Sequence, residues 1–260
     1  MKYNYHTHTT RCFHAEGGDE EYVKSAIENG YEILGFSDHA PYIFPTGYTS
    51  HMRMRPEDAE EYIESIRYLG EKYRNEIQLK VGFEMEWYPD LIEGQKEFLK
   101  TLDIDYLILG QHFTENEFEP DSIYTGSRTR STEVLDRYIE QLLAGARSGL
   151  FTYVCHPDLI NFVGRKKVYE NKIGDMLTEL KRLRLPIECN FYGYIDERWY
   201  PNDRFWHIAR EVGCDAVIGI DAHMPSLFKY DDGVQQMAAH LTDDIGINLL
   251  EKVELIKPKF

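Results

Sequence analysis

The chain has 260 residues and a formal net charge of −16, enough length for one large domain or two small ones. Such an acidic surface argues against a nucleic-acid polymer as partner, because a phosphate backbone needs a cationic track. A small phosphorylated ligand stays possible only where bound cations reverse the local field.

A short strand over residues 2–5 leads into His6-Thr7-His8, with His14 following after a turn. Residues i and i+2 of an extended chain face the same side, so His6 and His8 can aim at one ion. Gly17-Gly18 breaks the chain, Asp19 caps a helix with Val23, Ala26 and Ile27 inward, and Gly30 closes it. Residues 32–37 read as a buried strand that delivers Asp38 and His39. A loop over 41–54, rich in Tyr and Pro, precedes a helix opened by Pro56, with Ala59, Tyr62, Ile63, Ile66, Leu69 and Tyr73 at helical spacing. A strand over 77–83 ends at Glu84-Met85-Glu86 and is followed by a helix near 90–102. The strand over 106–110 delivers His112. After a loop over 114–130 comes a helix faced by Val134, Leu135, Tyr138, Ile139, Leu142, Leu143 and Ala146. The strand over 151–155 ends at His156-Pro157-Asp158, and the helix after it carries Ile173, Met176, Leu177, Leu180 and Leu183. A sixth strand spans 186–190, a helix bears Phe205, Ile208, Ala209 and Val212, and a seventh strand over 216–220 leads to Asp221-Ala222-His223. A helix near 232–241 and a poorly patterned tail complete the chain.

Seven strand–helix alternations without a dividing linker predict one parallel α/β domain over residues 1–260. The polar residues at the strand ends favour closure, since the carboxyl ends of barrel strands converge on one mouth. Those residues are His6, His8, His39, Glu84, His112, His156, Asp221 and His223, joined by His14 from the first loop. Each has an ordinary reading, as a hydrogen-bonded core histidine or a helix cap. Together they are hard to explain that way, because unpaired buried polar groups are costly. Histidine with carboxylate and no thiolate suits zinc, manganese or iron, and nine such residues are enough for two or three ions. Cys12, Cys155, Cys189 and Cys214 are scattered, which fits a reducing compartment. No leader peptide and no apolar run near the ~18 residues of a spanning helix is evident. The expectation is a cytoplasmic protein without membrane contact, its oligomeric state open.

In order, His6-Thr7-His8-Thr9, Phe36-Ser37-Asp38-His39-Ala40-Pro41, Gly82-Phe83-Glu84, Gly110-Gln111-His112, His156-Pro157-Asp158 and Asp221-Ala222-His223 resemble the motifs of the polymerase and histidinol phosphatase (PHP) superfamily. The resemblance runs over essentially the whole chain and is strongest to the histidinol-phosphatase branch. It implies a distorted (β/α)7 barrel with a trinuclear metal site at the carboxyl ends of the strands. By resemblance, one ion takes His6, His8, Glu84 and Asp221, a second Glu84, His112 and His156, and a third His14, His39 and His223. The implied reaction is hydrolysis of a small phosphate monoester, L-histidinol phosphate first, by a hydroxide bridging two metals. Glu84, Asp221 and His223 are the expected catalytic residues. Glu86 competes with Glu84, since both share one strand face and only the G-x-E match favours Glu84.

Arg53, Arg55, Arg165 and Arg198 fall in loops or near strand ends, where a guanidinium can grip phosphate. The family's phosphate-binding arginines favour Arg165 and Arg198 as the pair. The loops over 41–51 and 114–130 can roof a substrate pocket, with aromatic rings for stacking and Glu115, Glu117 and Glu119 for a cation. Phe191, Tyr192 and Tyr194 stand where the family has a smaller turn, and Ile220 where a serine is common, which bears on the substrate more than on the chemistry. Other phosphate esters, nucleotides, oligonucleotide ends and phosphotyrosine are alternatives within the superfamily. An amidohydrolase also opens with H-x-H, but no suitably placed bridging lysine is found. A non-catalytic metal-binding module is the third reading. His51, His207 and His240 match no motif.

Overall fold

The computed structural model describes residues 2–45 and 47–260. Its frame is a set of parallel strands: β1 (Tyr3–Asn4), β2 (Ile33–His39), β3 (Gln78–Met85) and β4 (Tyr106–Leu109) pair in that order. Between β4 and the later strands the chain contributes Val154, bridged in parallel to Leu109 on one side and Ile187 on the other. Residues 113–124 form a two-stranded antiparallel ribbon, β5 (Phe113–Thr114) and β6 (Ile123–Tyr124), where the sequence predicts only a loop over 114–130. The frame resumes with β7 (Ile187–Asn190) and β8 (Asp215–Gly219), and the bridge Thr7↔Ala222 brings it back to the segment after β1. The fold is thus an α/β barrel-like ring. Among the described residues it is built of six strands and one single-residue bridge, where seven strands were expected.

The fifth stretch is short for a local reason. Thr152 and Cys155 donate to Leu107 and Leu109, and Val154 donates to the carbonyl of Pro186, which has no N–H to return. The tail, poorly patterned in sequence, adds a parallel pair through β9 (Asn248–Leu249) against the start of β8.

Helices cover the outside: α1 (Asp19–Glu28), α2 (Ala59–Lys72), α3 (Ile92–Leu99), α4 (Thr132–Arg147), α5 (Lys166–Arg182), α6 (Phe191–Ile195), α7 (Asp203–Val212) and α8 (Asp231–Ala239). Helix α1 starts at Gly18, whose N–H donates to Glu21 at 2.6 Å, with Asp19, Glu20 and Glu21 suiting the helix N-terminus. Helix α4 starts at Ser131, whose hydroxyl accepts from the Val134 N–H, and buries Leu135, Tyr138, Leu142 and Ala146. Every residue of β2 is buried, as expected of a strand with both faces covered. One apolar cluster fills the space between strands and helices. A smaller one gathers Tyr5, Ile33, Tyr106, Ile108, Tyr153, Cys155 and Val217 from the ring with Val253 from the tail. No described helix is long and apolar enough to cross a membrane.

The ring closes through a side chain as well as through backbone. Asn4, fully buried, accepts from the Ile220 N–H at 2.9 Å and donates to Thr7 Oγ1 at 2.8 Å and the His6 carbonyl at 3.0 Å. Asn4→Leu leaves those groups buried and unpaired, an expected cost of about 1–3 kcal/mol. A urea midpoint identical to that of the parent protein would show that Asn4 does not hold the closure.

Candidate metal centre

Strand pairing assembles the cluster. In the β2–β3 register His39 lies opposite Glu84. The Thr7↔Ala222 bridge sets His6 and His8 beside Asp221 and His223. His112 follows β4, and His156 follows the Val154 bridge. His156 (φ 30°) and Asp221 (φ 55°) are in the left-handed region, an uncommon conformation for side chains other than glycine and one that clusters at functional sites.

Glu84, 1% exposed, is central. Its Oε2 lies 3.5 Å from His6 Nε2, 3.5 Å from His8 Nε2 and 3.0 Å from His39 Nδ1. Its Oε1 lies 2.8 Å from His156 Nε2 and 3.4 Å from His112 Nε2. Asp221 Oδ1 is 3.4 Å from His6 Nε2 and 3.0 Å from His8 Nε2. The His223 ring stacks on His8 with centroids 4.2 Å apart, and His14 stands 4.8 Å from His223. All nine expected ligand residues therefore meet in one place. His14 is exposed and the other eight are buried.

Behind these rings stands a layer of acceptors. His6 Nδ1 donates to Glu188 Oε2 at 2.8 Å, His112 Nδ1 to Glu86 Oε1 at 2.8 Å and His8 Nδ1 to Asp38 Oδ1 at 3.4 Å. His14 and His223 spend Nδ1 on the carbonyls of Cys12 and Asp221, at 2.7 and 3.0 Å. A ring that donates from Nδ1 presents the Nε2 lone pair, the arrangement of a metal-ligating histidine. Asn190 donates to Asp221 Oδ2 and to Glu188 Oε1, both at 3.0 Å, tying two of these carboxylates together.

The residues fit a cation. His6 Nε2 and His8 Nε2 are 3.2 Å apart, so two lone pairs there need a proton or an ion between them. His39 Nδ1, Glu84 Oε2, Asp221 Oδ1 and His223 Nε2 are buried without a hydrogen-bond partner among the described residues. Such orphaned atoms are costly unless an ion uses them. Burial alone would raise the Glu84 and Asp221 carboxyls. The neighbouring histidines, His112, His39 and His6 for Glu84 and His6, His223 and His8 for Asp221, hold both well below the usual carboxylate range. Burial pushes His39 down to about 3, which keeps it neutral despite Glu84. At His6 burial loses to Glu188, Asp221 and Glu84, which raise it to about 10 and mark a surplus of negative charge. Room for the carboxylates is also built in: a Cβ at Gly110 would lie 2.1 Å from Glu84 Oε1, and one at Gly219 2.1 Å from Glu188 Oε2.

Glu86 is separated from Glu84 by its partners. It faces Arg53 and His112, and against burial the Arg53 guanidinium and the His112 hydrogen bond hold its carboxyl at about 2. Arg53 is spent on Glu86 and Glu117 and does not stand free for phosphate, while Arg55 is exposed and lies over the Phe13 ring at 5.6 Å. Arg198 is placed well: its guanidinium lies 4.7 Å over Tyr192, which stacks on His223 at 5.2 Å. It donates to Asp196 and to the Tyr200 hydroxyl, leaving Nη2 without a hydrogen-bond partner among the described residues. Arg165 is exposed at the start of α5, and among the described residues its side chain forms no hydrogen bond or ion pair with the cluster. Of the loop carboxylates expected to meet a cation, Glu117 pairs with Arg53 and Glu115 with Arg137 at 2.8 Å. Tyr42 and Phe44 are buried in an aromatic cluster with Tyr88 and Phe118 and are not open to a ligand ring.

Sequence reasoning gave no role in the cluster to Asp38, Glu188, Asn190 or Cys155. A charged residue inside the apolar stretch 186–190 is the signal that could have found Glu188. The Cys155 thiol, raised well above its ordinary pKa by burial and by Glu84, donates to Glu84 Oε1 at 3.1 Å. His51 and His207 take no part in the cluster, and His240 pairs with Asp244 and Asp203 at the surface.

Comparison with known proteins agrees with this geometry. The chain is 29% identical over 239 residues to a probable histidinol-phosphatase of Deinococcus radiodurans, covering 89% of this chain and 91% of that protein. To a probable histidinol-phosphatase of Schizosaccharomyces pombe it is 27% identical over 284 aligned positions, covering 98% and 90%. The crystal structure of histidinol phosphate phosphatase from Lactococcus lactis, complexed with zinc, L-histidinol and phosphate, shares the fold with a TM-score of 0.68 at 18% identity, covering 97% of this chain and 98% of that one. Residues 4–191 match the family model described as PHP domain, which includes seven of the nine cluster residues, while Asp221 and His223 join them through the closing bridge. The chain belongs to the PHP domain family.

Proposed function

We propose that this chain is a metal-dependent phosphatase that converts L-histidinol phosphate to L-histidinol and phosphate. The observation that carries it is the cluster in which two carboxylates and seven histidines converge, with His39 Nδ1, Glu84 Oε2, Asp221 Oδ1 and His223 Nε2 buried and unpartnered among the described residues. Relatives named histidinol-phosphatase that align along most of the chain support the substrate.

Two or three divalent ions, zinc, manganese or iron, would be held by three sets of residues. His6, His8, Glu84 and Asp221 form one, Glu84, His112 and His156 the second, and His14, His39 and His223 the third. Bound there, divalent ions supply an activated water and neutralise charge on the phosphoryl oxygens. Glu84 belongs to two sets because its oxygens face different histidines: Oε2 meets His6, His8 and His39, and Oε1 meets His156 and His112. Asp221 is fixed by Asn190 with one oxygen left for the cluster. Arg198 offers its free Nη2 to a phosphate oxygen, and its stacking on Tyr192 limits where the guanidinium can point. Arg165 is the second candidate for that role. Residues 1–260 act as one catalytic domain, and four free, buried cysteines suit the cytoplasm.

Elemental analysis of gently purified protein should find two or three transition-metal ions per chain. On the same sample, kcat/KM for L-histidinol phosphate should exceed that for sugar, nucleotide and aryl phosphates by more than about tenfold, or ~1.4 kcal/mol of discrimination. A smaller preference would make the protein a general small-molecule phosphatase. Glu84→Gln should lower kcat by well over ~10²-fold, the scale of a lost transition-state electrostatic element. Glu86→Gln should cost less, since it weakens one ligand's support and leaves both sets their carboxylate. The reverse order of severity would overturn the assignment of Glu84.

A further inference from the structure

The geometry points to Arg53 as a positioning residue that couples the two loops beyond β2 and β4 to the metal-ligating face of His112. The inference rests on the metal-dependent reading above. Arg53 is 1% exposed and lies in the loop after β2, thirteen residues beyond Ala40. All five of its N–H donors are used. Nη1 donates to the Ala40 carbonyl at 3.1 Å and to Glu86 Oε2 at 2.9 Å, and Nη2 to Glu86 Oε1 at 2.9 Å. Nε donates to Glu117 Oε2 at 2.6 Å, and Nη2 reaches the same oxygen. Glu117 belongs to the loop between β5 and β6, so one guanidinium joins two loops that the sequence separates by more than sixty residues.

The link to the cluster is Glu86 Oε1, which accepts both from Arg53 Nη2 and from His112 Nδ1. A planar fork across both Glu86 oxygens fixes the carboxylate plane, and through it the direction of the His112 ring. The same two loops meet again where Phe118 packs on Phe44 at 5.6 Å and on Tyr48 at 6.4 Å. Two carboxylates share one cation here, so the charge behind His112 remains net negative and strengthens Nε2 as a ligand. A lysine cannot replace this arrangement: three donors on one nitrogen cannot span Glu86, Glu117 and the Ala40 carbonyl together.

The test uses full-length zinc-loaded protein and two readouts: zinc release to a chelating dye without substrate, and the split between kcat and KM on the preferred phosphate ester. Arg53→Lys should release one class of zinc at least about tenfold faster and lower kcat about tenfold. Glu86→Gln should show the same faster release. Glu117→Gln keeps the fork on Glu86 and loosens only the loop, so KM should rise several-fold while zinc release stays at the parent rate. A folded Arg53→Lys protein with parental zinc release overturns the coupling, whatever Glu86→Gln does. Where Arg53→Lys does not fold, Glu117→Gln decides, and an unchanged KM overturns the loop half of the inference. Zinc release is read without turnover, so a protein that hydrolyses no phosphate ester sinks the functional reading while leaving this test intact.

Discussion

The structure depends on one buried carboxylate. Glu84 sits at the carboxyl end of β3 with almost no water contact, and an isolated carboxylate there would be prohibitively costly. The neighbouring chain is arranged to keep its charge. The β2–β3 register sets His39 opposite it, Gly110 leaves the space its Oε1 occupies, and the Cys155 thiol donates to that same oxygen. Five histidines face its two oxygens. Rings that spend Nδ1 elsewhere present lone pairs, so packing them around a carboxylate concentrates acceptors, and cations are what reconcile such a set.

A second tier of carboxylates makes the first one specific. Asp38, Glu86 and Glu188 each hold the far nitrogen of one ring, and their burial is compensated in different ways. Asp38 also accepts from the Thr9 N–H at 3.1 Å and the His39 N–H at 2.8 Å, Glu188 from Asn190, and Glu86 from Arg53. These are hydrogen bonds from groups whose position is set by strand pairing or by a rigid guanidinium, which is why the rings converge. The acidity of the chain has a local counterpart here: negative charge is placed where it improves ligands for positive ions.

Much of this was legible in the sequence because strand ends leave a regular trace. His6 and His8 are two residues apart on extended backbone, and His39, His112, His156 and His223 each follow an apolar run, so they could be gathered before their distances were known. What stayed hidden depends on contacts between distant segments. Glu84 and Glu86 have the same parity, and only the Arg53 side chain, arriving from another loop, pulls one of them out of the cluster. Glu188 supports His6 across 182 residues of chain, and Val154 replaces a strand because its neighbour is Pro186. The antiparallel ribbon of β5 and β6 was missed because two residues per strand carry no period.

The same contacts decide which groups are left to recognise a ligand. Aromatic residues in the loops beyond β2 and β4 suggest stacking platforms, yet Tyr42 and Phe44 are consumed by Tyr88 and Phe118, and the acidic residues Glu115 and Glu117 by Arg137 and Arg53. The segment after β7 is different. Asn190 caps the short helix α6 through the Gly193 N–H at 2.8 Å while holding Asp221, so the helix is fixed to the cluster itself. From that segment Tyr192 stacks on His223, Arg198 covers Tyr192, and Tyr200 stands 6.1 Å from the His156 ring. A phosphate ester held at the cluster would place its organic part against these rings. On the function proposed above, discrimination among substrates would then fall on the stretch that departs most from the family's usual small turn, leaving the ligand residues to hold the phosphate.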